Sequence, residues 1–218
     1  MTKTLIHDAR AFLDGLAGNN NRDWFQEHKK IYEKQLRDPA KALLATLAPR
    51  IEALTGYDVK TKLFRINRDV RFSKDKTPYN THLHMMWTVA AGVRQDPVLF
   101  FGIGRDYVTV GGGMMEFSKD VLADWRKMVD LDGARIAGLL AKAEEAGFGL
   151  SNWTPALKRV PPPFPKDHPH GALLKQKGLT LSGQLSDDVE PAGAIMDAIG
   201  MIWPVADMLV GIAEPPVA

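Results

Sequence analysis

The chain has no cysteine. Disulfides, thiolate metal sites and cysteine nucleophiles are therefore excluded, and the composition fits a reducing cytoplasm. It also lacks an uninterrupted apolar run of roughly 18 residues, so no membrane span is expected. The opening stretch MTKTLIHDARAFLDGLAG carries Asp8 and Asp14 inside an amphipathic pattern and does not read as a signal peptide. No GxGxxG, no GK[ST] after a glycine run, no HExxH, no nucleophile elbow, no Ser-Lys motif and no paired-carboxylate signature occurs. No cofactor and no reaction is thus implied by a motif. Aromatic residues are sparse at 8%.

Positive charge is present, and it is concentrated. Across 218 residues the formal net charge is only +2. Yet KTKLFRINRDVRFSKDKTPY, residues 60–79, sets seven cations (Lys60, Lys62, Arg65, Arg68, Arg71, Lys74 and Lys76) against Asp69 and Asp75. Such a block is expected to attract an anion.

The apolar periodicity predicts where that block sits. Leu5, Ile6, Ala9, Phe12, Leu13 and Leu16 recur at helical spacing, with Gly18 as a stop. Asn20, followed by Asp23, is the expected cap of a second helix bearing Trp24, Phe25, His28, Ile31, Tyr32 and Leu36. Asp38-Pro39 is expected to open a third helix, kinked or cut at Pro49 and closed by Gly56. From Leu63 to Phe72 the period changes toward two, predicting a strand with Phe64, Ile66, Val70 and Phe72 on one face and Arg65, Asn67, Asp69 and Arg71 on the other, at roughly 6.5–7 Å intervals. Residues 73–78 read as a turn. Thr81–Val89 and Val98–Ile103 read as strands, Gly104–Asp106 as a tight connection, and Tyr107–Val110 as a hairpin partner. Gly111-Gly112-Gly113 is expected to end the sheet segment.

Beyond it Ser118 should cap a helix with Val121, Leu122, Trp125, Met128 and Val129, and a second helix should carry Ile136 to Ala143. Residues 151–170 hold six prolines but are too apolar at Trp153, Leu157 and Phe164 to be disordered. An ordered strap is expected there. Asp167 or His168 should cap a short helix that Pro169 starts. Leu179–Leu181 is a further strand candidate, and helices broken at Pro204 should follow Glu190. The expected fold is α+β: an antiparallel sheet of four to five strands covered by N- and C-terminal helices in one domain, 1–218. Its helices would span about 4–56, its sheet about 60–112, and its strap and final helices about 118–212.

Three blocks carry a resemblance: NNNRDWFQEHKKIYE (19–33), LFRINRDVRFSKDKTPYNTH (63–82) and LKRVPPPFPKDHP (157–169), with VGGGMM (110–115) between the last two. They resemble the family catalogued as domain of unknown function 2461, over nearly the whole chain and in the same order. The resemblance implies a single-domain cytoplasmic protein and assigns no catalytic residue. His82 agrees with a histidine of that pattern, whereas His84 departs from it.

The chemistry is therefore read from the residues. Arg65, Arg68 and Arg71, with Asn67, Lys74, Lys76 and Tyr79, can converge on a phosphate or carboxylate. Asp69 beside an arginine would be held ionised, a poor general base better suited to orienting that arginine or holding a metal. His82, kept neutral among cations, is the candidate acid/base. His82 and His84 on one strand make two ligands, which is not a metal site. Lys166 and His168 are expected to close over the basic strand as a second wall. The leading reading is a protein that binds a small anionic ligand. Nucleic acid bound by the same patch and an internal ion-pair scaffold are the alternatives.

Overall fold

The computed structural model describes residues 3–215; the first two and last three residues of the expected domain lie outside the described residues. The N-terminal helices follow the apolar periodicity. α1 (Lys3–Gly18) buries Leu5, Ile6, Ala9, Phe12, Leu13 and Leu16. α2 (Arg22–Ile31) is capped by Asn21, whose side-chain oxygen accepts from the Trp24 amide at 3.0 Å. The expected cap, Asn20, is displaced by one position because its own amide is engaged elsewhere, with Tyr79.

No break occurs at Asp38-Pro39. Tyr32–Arg37 wind as a π-helix that runs directly into α3 (Asp38–Thr55). The Asp38 amide reaches back to the Glu33 carbonyl, so the wider turn passes the chain into Pro39 without starting a new helix. Asp38 is helical in φ and ψ and caps nothing; its carboxylate accepts from Arg37 instead. Pro49 lies inside α3 without ending it, and Gly56, at φ 78°, closes it.

The sheet has six strands rather than four or five, all pairs antiparallel, in the order β1-β2-β3-β4-β6-β5. β1 is Asp58–Leu63, β2 Leu83–Ala90, β3 Val98–Ile103, β4 Val108–Met114, β5 Gly149–Leu150 and β6 Leu179–Gln184. The first four form a meander as expected, but its first strand is Asp58–Leu63, before the expected Leu63–Phe72. β4 runs through all three glycines instead of stopping before them, because only a strand without Cβ atoms fits between β3 and β6 there.

Period-two alternation in β2 sends Leu83, Met85, Trp87 and Val89 inward. Trp87 is fully buried, and its indole N–H donates to the Leu44 carbonyl of α3 at 3.2 Å. The same face meets α6 (Pro191–Ala213), a single helix that Pro204 does not interrupt. α6 is long and apolar enough to span a membrane by length and composition, but 56% of its apolar stretch is buried in the protein, as in a core helix. Its apolar character is the reason it packs on the sheet centre and under α4. α4 (Lys119–Glu145) holds the two expected helices, joined across a kink at Asp132, whose φ of −142° and ψ of 35° are not helical. Ser118 precedes it without a side-chain cap bond. α5 (Gly171–Leu174) begins after His170, not at Pro169.

The Pro-rich strap is ordered and packed. Trp153 meets Phe100 edge-on at 5.8 Å, and the Ser151 and Thr154 hydroxyls bond those of Ser182 and Thr180 on β6.

Candidate functional site

Residues 64–82 do not form the expected strand. After Leu63 the chain leaves β1, makes one bridge between Asn67 and Tyr79, and otherwise runs as an irregular hairpin. The Arg68 amide donates to the Pro78 carbonyl at 2.9 Å and the Asn80 amide to the Ile66 carbonyl at 2.7 Å. Two local effects explain the departure. Asp69 and Asp75 use their side chains to accept the amides two residues on, Arg71 and Thr77, which turns the backbone out of a ladder. Of the apolar residues expected on one face, only Ile66 is buried; Phe72 is 96% exposed at the tip. Arg65, Asn67, Asp69 and Arg71 consequently share no strand face.

The loop is held at its base. Ile66 and Tyr79 enter the core, the Tyr79 ring stacked on Phe25 at 4.2 Å. Asn20 grips the Tyr79 backbone from both sides: its Nδ2 donates to the carbonyl at 2.9 Å, and its Oδ1 accepts from the amide at 3.1 Å. Tyr79 is therefore an anchor, and its ring faces the core.

Most cations of the block are occupied in shaping it. Arg68 donates to Asp75 at 2.5 Å and to the Thr77 carbonyl at 3.1 Å and hydroxyl. Arg71 takes both oxygens of Asp69. That bond, followed by the Arg71 amide, holds the Asp69 carboxyl below the usual carboxylate range. Asp75 is lowered to about 2, through the Thr77 amide first and Arg68 second. Lys76 closes the tip onto the Val70 carbonyl at 3.0 Å, and Lys74 is exposed beside it. Arg65 differs: among the described residues no carboxylate forms an ion pair with it.

Arg65 lines an open hollow of about 330 Å³ with Phe64, Asn67, Arg68, Asp69, Asn80 and His82. A second hollow, of about 400 Å³, is lined by Asp14, Thr81, His82, Arg105, Asp106 and Tyr107. His82 is the wall they share. Lys166 and His168 line neither: Lys166 is exposed on the strap, and His168 sits 3.1 Å from Asp130 of α4 while its Nδ1 accepts the His170 amide.

His82 and His84 lie on the same side of the β2 start with their rings stacked at 3.9 Å. His84 fits because the residue opposite it on β3 is Gly102, where a Cβ would meet the ring at 2.9 Å. Its Nε2 is 2.8 Å from the Tyr107 hydroxyl. Burial lowers the His82 pKa. Burial first, and the charge of His82 second, push His84 down to about 4. Burial, followed by Asp106, raises the Tyr107 phenol. All three are therefore neutral at pH 7. Among the described residues no group of three or more histidines and carboxylates is placed to hold a metal ion.

The depressed His84 pKa makes a stability statement. An unfolded histidine, at about 6.5, binds a proton at pH values where folded His84 does not, so the native state loses stability as pH falls from about 6.5 toward 4. The expected slope is at most about 1.4 kcal/mol per pH unit for this one group. Urea midpoints between pH 7 and 4.5 should fall for the wild type and fall less for His84→Gln. Identical slopes would contradict the assignment.

Sequence reasoning missed Phe64, Asn80 and Tyr107. Phe64 falls on the apolar side of the expected strand, opposite the site candidates, yet it is 39% exposed and lines the hollow beside Arg65. Tyr107 meets His84 only through the β2-β3-β4 register, which no local pattern encodes.

A six-stranded antiparallel sheet, helices from both ends of the chain and a basic loop joining the first two strands define an α+β protein with an open, cation-bearing hollow at one sheet end. The chain belongs to the family described as conserved hypothetical protein, DUF2461, whose model matches residues 8–211. That description assigns no activity. No curated protein matches the chain.

Proposed function

We propose that the protein binds a small phosphate- or carboxylate-bearing ligand in the hollow between the basic loop and the start of β2. The observation that carries this reading is Arg65. It alone among the three arginines of the loop has no ion-pair partner among the described residues, and it lines a hollow beside two amides and a neutral imidazole. A guanidinium offers a planar fork to an oxyanion. The Asn67 and Asn80 side chains can add neutral donors, and His82 can donate from whichever ring nitrogen carries its proton. Arg68 and Asp69, tied to Asp75 and Arg71, also line the hollow. Should the bound ligand undergo proton transfer, His82 is the group to serve it. Asp69, held ionised by Arg71, orients the loop.

A thermal-shift series with inorganic phosphate, phosphorylated metabolites and dicarboxylates tests the reading. Wild type should be stabilised by at least one of these, Arg65→Ala should lose the shift, and the exposed Lys74→Ala should keep it. An anion held at a hundred times its Kd would add about 2.7 kcal/mol, enough to move the melting temperature by several degrees. No stabilising anion, or equal stabilisation of Arg65→Ala, overturns it.

A further inference from the structure

The sheet is covered unequally. Residues directly paired across strands share a face, so Phe64, His84 and Gly102 form one row away from the core, Lys62, Met86 and Phe100 the next, and Lys60, Thr88 and Val98 a third. α3 and α6 pack on the opposite face, where Trp87 bonds Leu44 and Ile202 approaches Gly112. On the outer face the strap covers only the far strands, through Ser151 and Thr154 on β6, and ends its cover at Trp153 against Phe100. Over β1, β2 and β3 a shelf remains. Its floor is Met86, Thr88 and Phe100, each half-buried; Trp153, 47% exposed, walls one side and Phe64 the other.

We propose that this shelf binds a short stretch of single-stranded nucleic acid. The charge of the face selects the occupant. Lys60 and Lys62 line its β1 edge, exposed and without a carboxylate partner among the described residues, and Arg65 follows at the Phe64 end. The three rows contain no acidic residue; Asp58 stands only in the row beyond Lys60. Exposed rings flanked by cations suit bases that stack and phosphates that lie along the edge. Lys62 already rests over the Phe64 ring at 4.6 Å, so cation and ring act at one place. Three strands offer room for about two or three bases, as on other open sheets that bind RNA. A duplex cannot present its bases to such a shelf. The inference stands apart from the anion hollow, with which it shares only Phe64 and the neighbouring Arg65.

Fluorescence anisotropy with a labelled oligothymidylate of about 15 nucleotides, at low and moderate salt, tests it. The single strand should bind more tightly than a duplex of equal length. Phe64→Ala and Trp153→Ala should each weaken it by about tenfold. Lys60→Ala combined with Lys62→Ala should flatten the slope of log K against log salt by about 1.4. Melting temperatures close to wild type are expected for all of these variants, since the side chains are exposed. Absence of single-strand binding at about 20 mM salt overturns the proposal. So does binding that ignores both aromatic substitutions, or a dimer in gel filtration that the same substitutions disperse. Loss of the phosphate-induced thermal shift in Arg65→Ala, with oligonucleotide binding weakened only by the loss of one cation, would separate this site from the hollow.

Discussion

Gly113→Ala is expected to destabilise this protein severely by adding a single methyl. Gly113 stands in β4 at φ 133°, between Val98 of β3 and Thr180 of β6. A side chain there is strained for any L-residue, at about 1–3 kcal/mol. The added Cβ would also lie 2.1 Å from the Leu179 carbonyl oxygen, which is backbone and cannot rotate away. Opening the β4-β6 contact to relieve it would disturb Leu179, fully buried in the core. Overpacking of this kind costs about 1–3 kcal/mol more. The sum is a large share of the roughly 5–15 kcal/mol that holds a domain together. The variant should accumulate poorly in soluble form and unfold at a much lower urea midpoint. Gly138→Ala is the matched control: it lies in α4, exposed, with nothing within 4 Å of its Cβ position. That change should stabilise by about 0.5–1 kcal/mol. Equal effects of the two would show that the close approach of β4 and β6 is not what the glycines serve.

The second large effect is local, and it reaches the site. Asn20→Ala removes both bonds to the Tyr79 backbone. Tyr79 is 5% exposed, so its amide and carbonyl are left without ready access to water. An unsatisfied buried group costs about 1–3 kcal/mol, which puts the pair at about 2–6 kcal/mol. The loss falls on the loop, because Asn20 joins the α1-α2 turn to its base while the sheet and helices keep their own contacts. Limited proteolysis should therefore cut within residues 69–77 in the variant well before the rest of the chain, and binding of phosphate should weaken roughly tenfold or more. Asn20→Asp keeps the acceptor for the Tyr79 amide and loses the donor, so it should fall between the two. A loop equally resistant in wild type and Asn20→Ala would remove Asn20 from its anchoring role.

The contrast between sheet and loop marks what the sequence makes legible. The meander was readable because β2 and β3 alternate or run apolar against a covered face, so composition and burial report the same thing. The glycine run misled because a glycine signals close approach as well as termination, and only the neighbouring strand distinguishes them. Asp38-Pro39 misled for a similar reason: a π turn lets a proline enter a helix that is already running. The basic block shows the limit most clearly. Its charge was visible, but the alternation from Leu63 to Phe72 was not a strand, since Asp69 and Asp75 bond their own backbone and Phe72 has nothing to pack against. Which cations are occupied by Asp69, Asp75 and Val70, leaving Arg65 facing the hollow, depends on tertiary geometry. Asn80 and Tyr107 gave no signal, because their partners are far along the chain: Asn80 Nδ2 reaches the Arg65 carbonyl at 3.3 Å, and Tyr107 meets His84.

Histidine NMR during a phosphate titration tests the central claim most directly, with resonances assigned by His82→Gln and His168→Gln. His82 lines the hollow beside Arg65, whereas His168 lies against Asp130 and lines neither hollow. Saturable shifts confined to His82 and its stacked neighbour His84, with the His82 pKa rising as the anion binds and the response lost in Arg65→Ala, are the predicted result. A His82 signal that ignores the anion, or one that moves no more than His168, would contradict an anion site in this hollow.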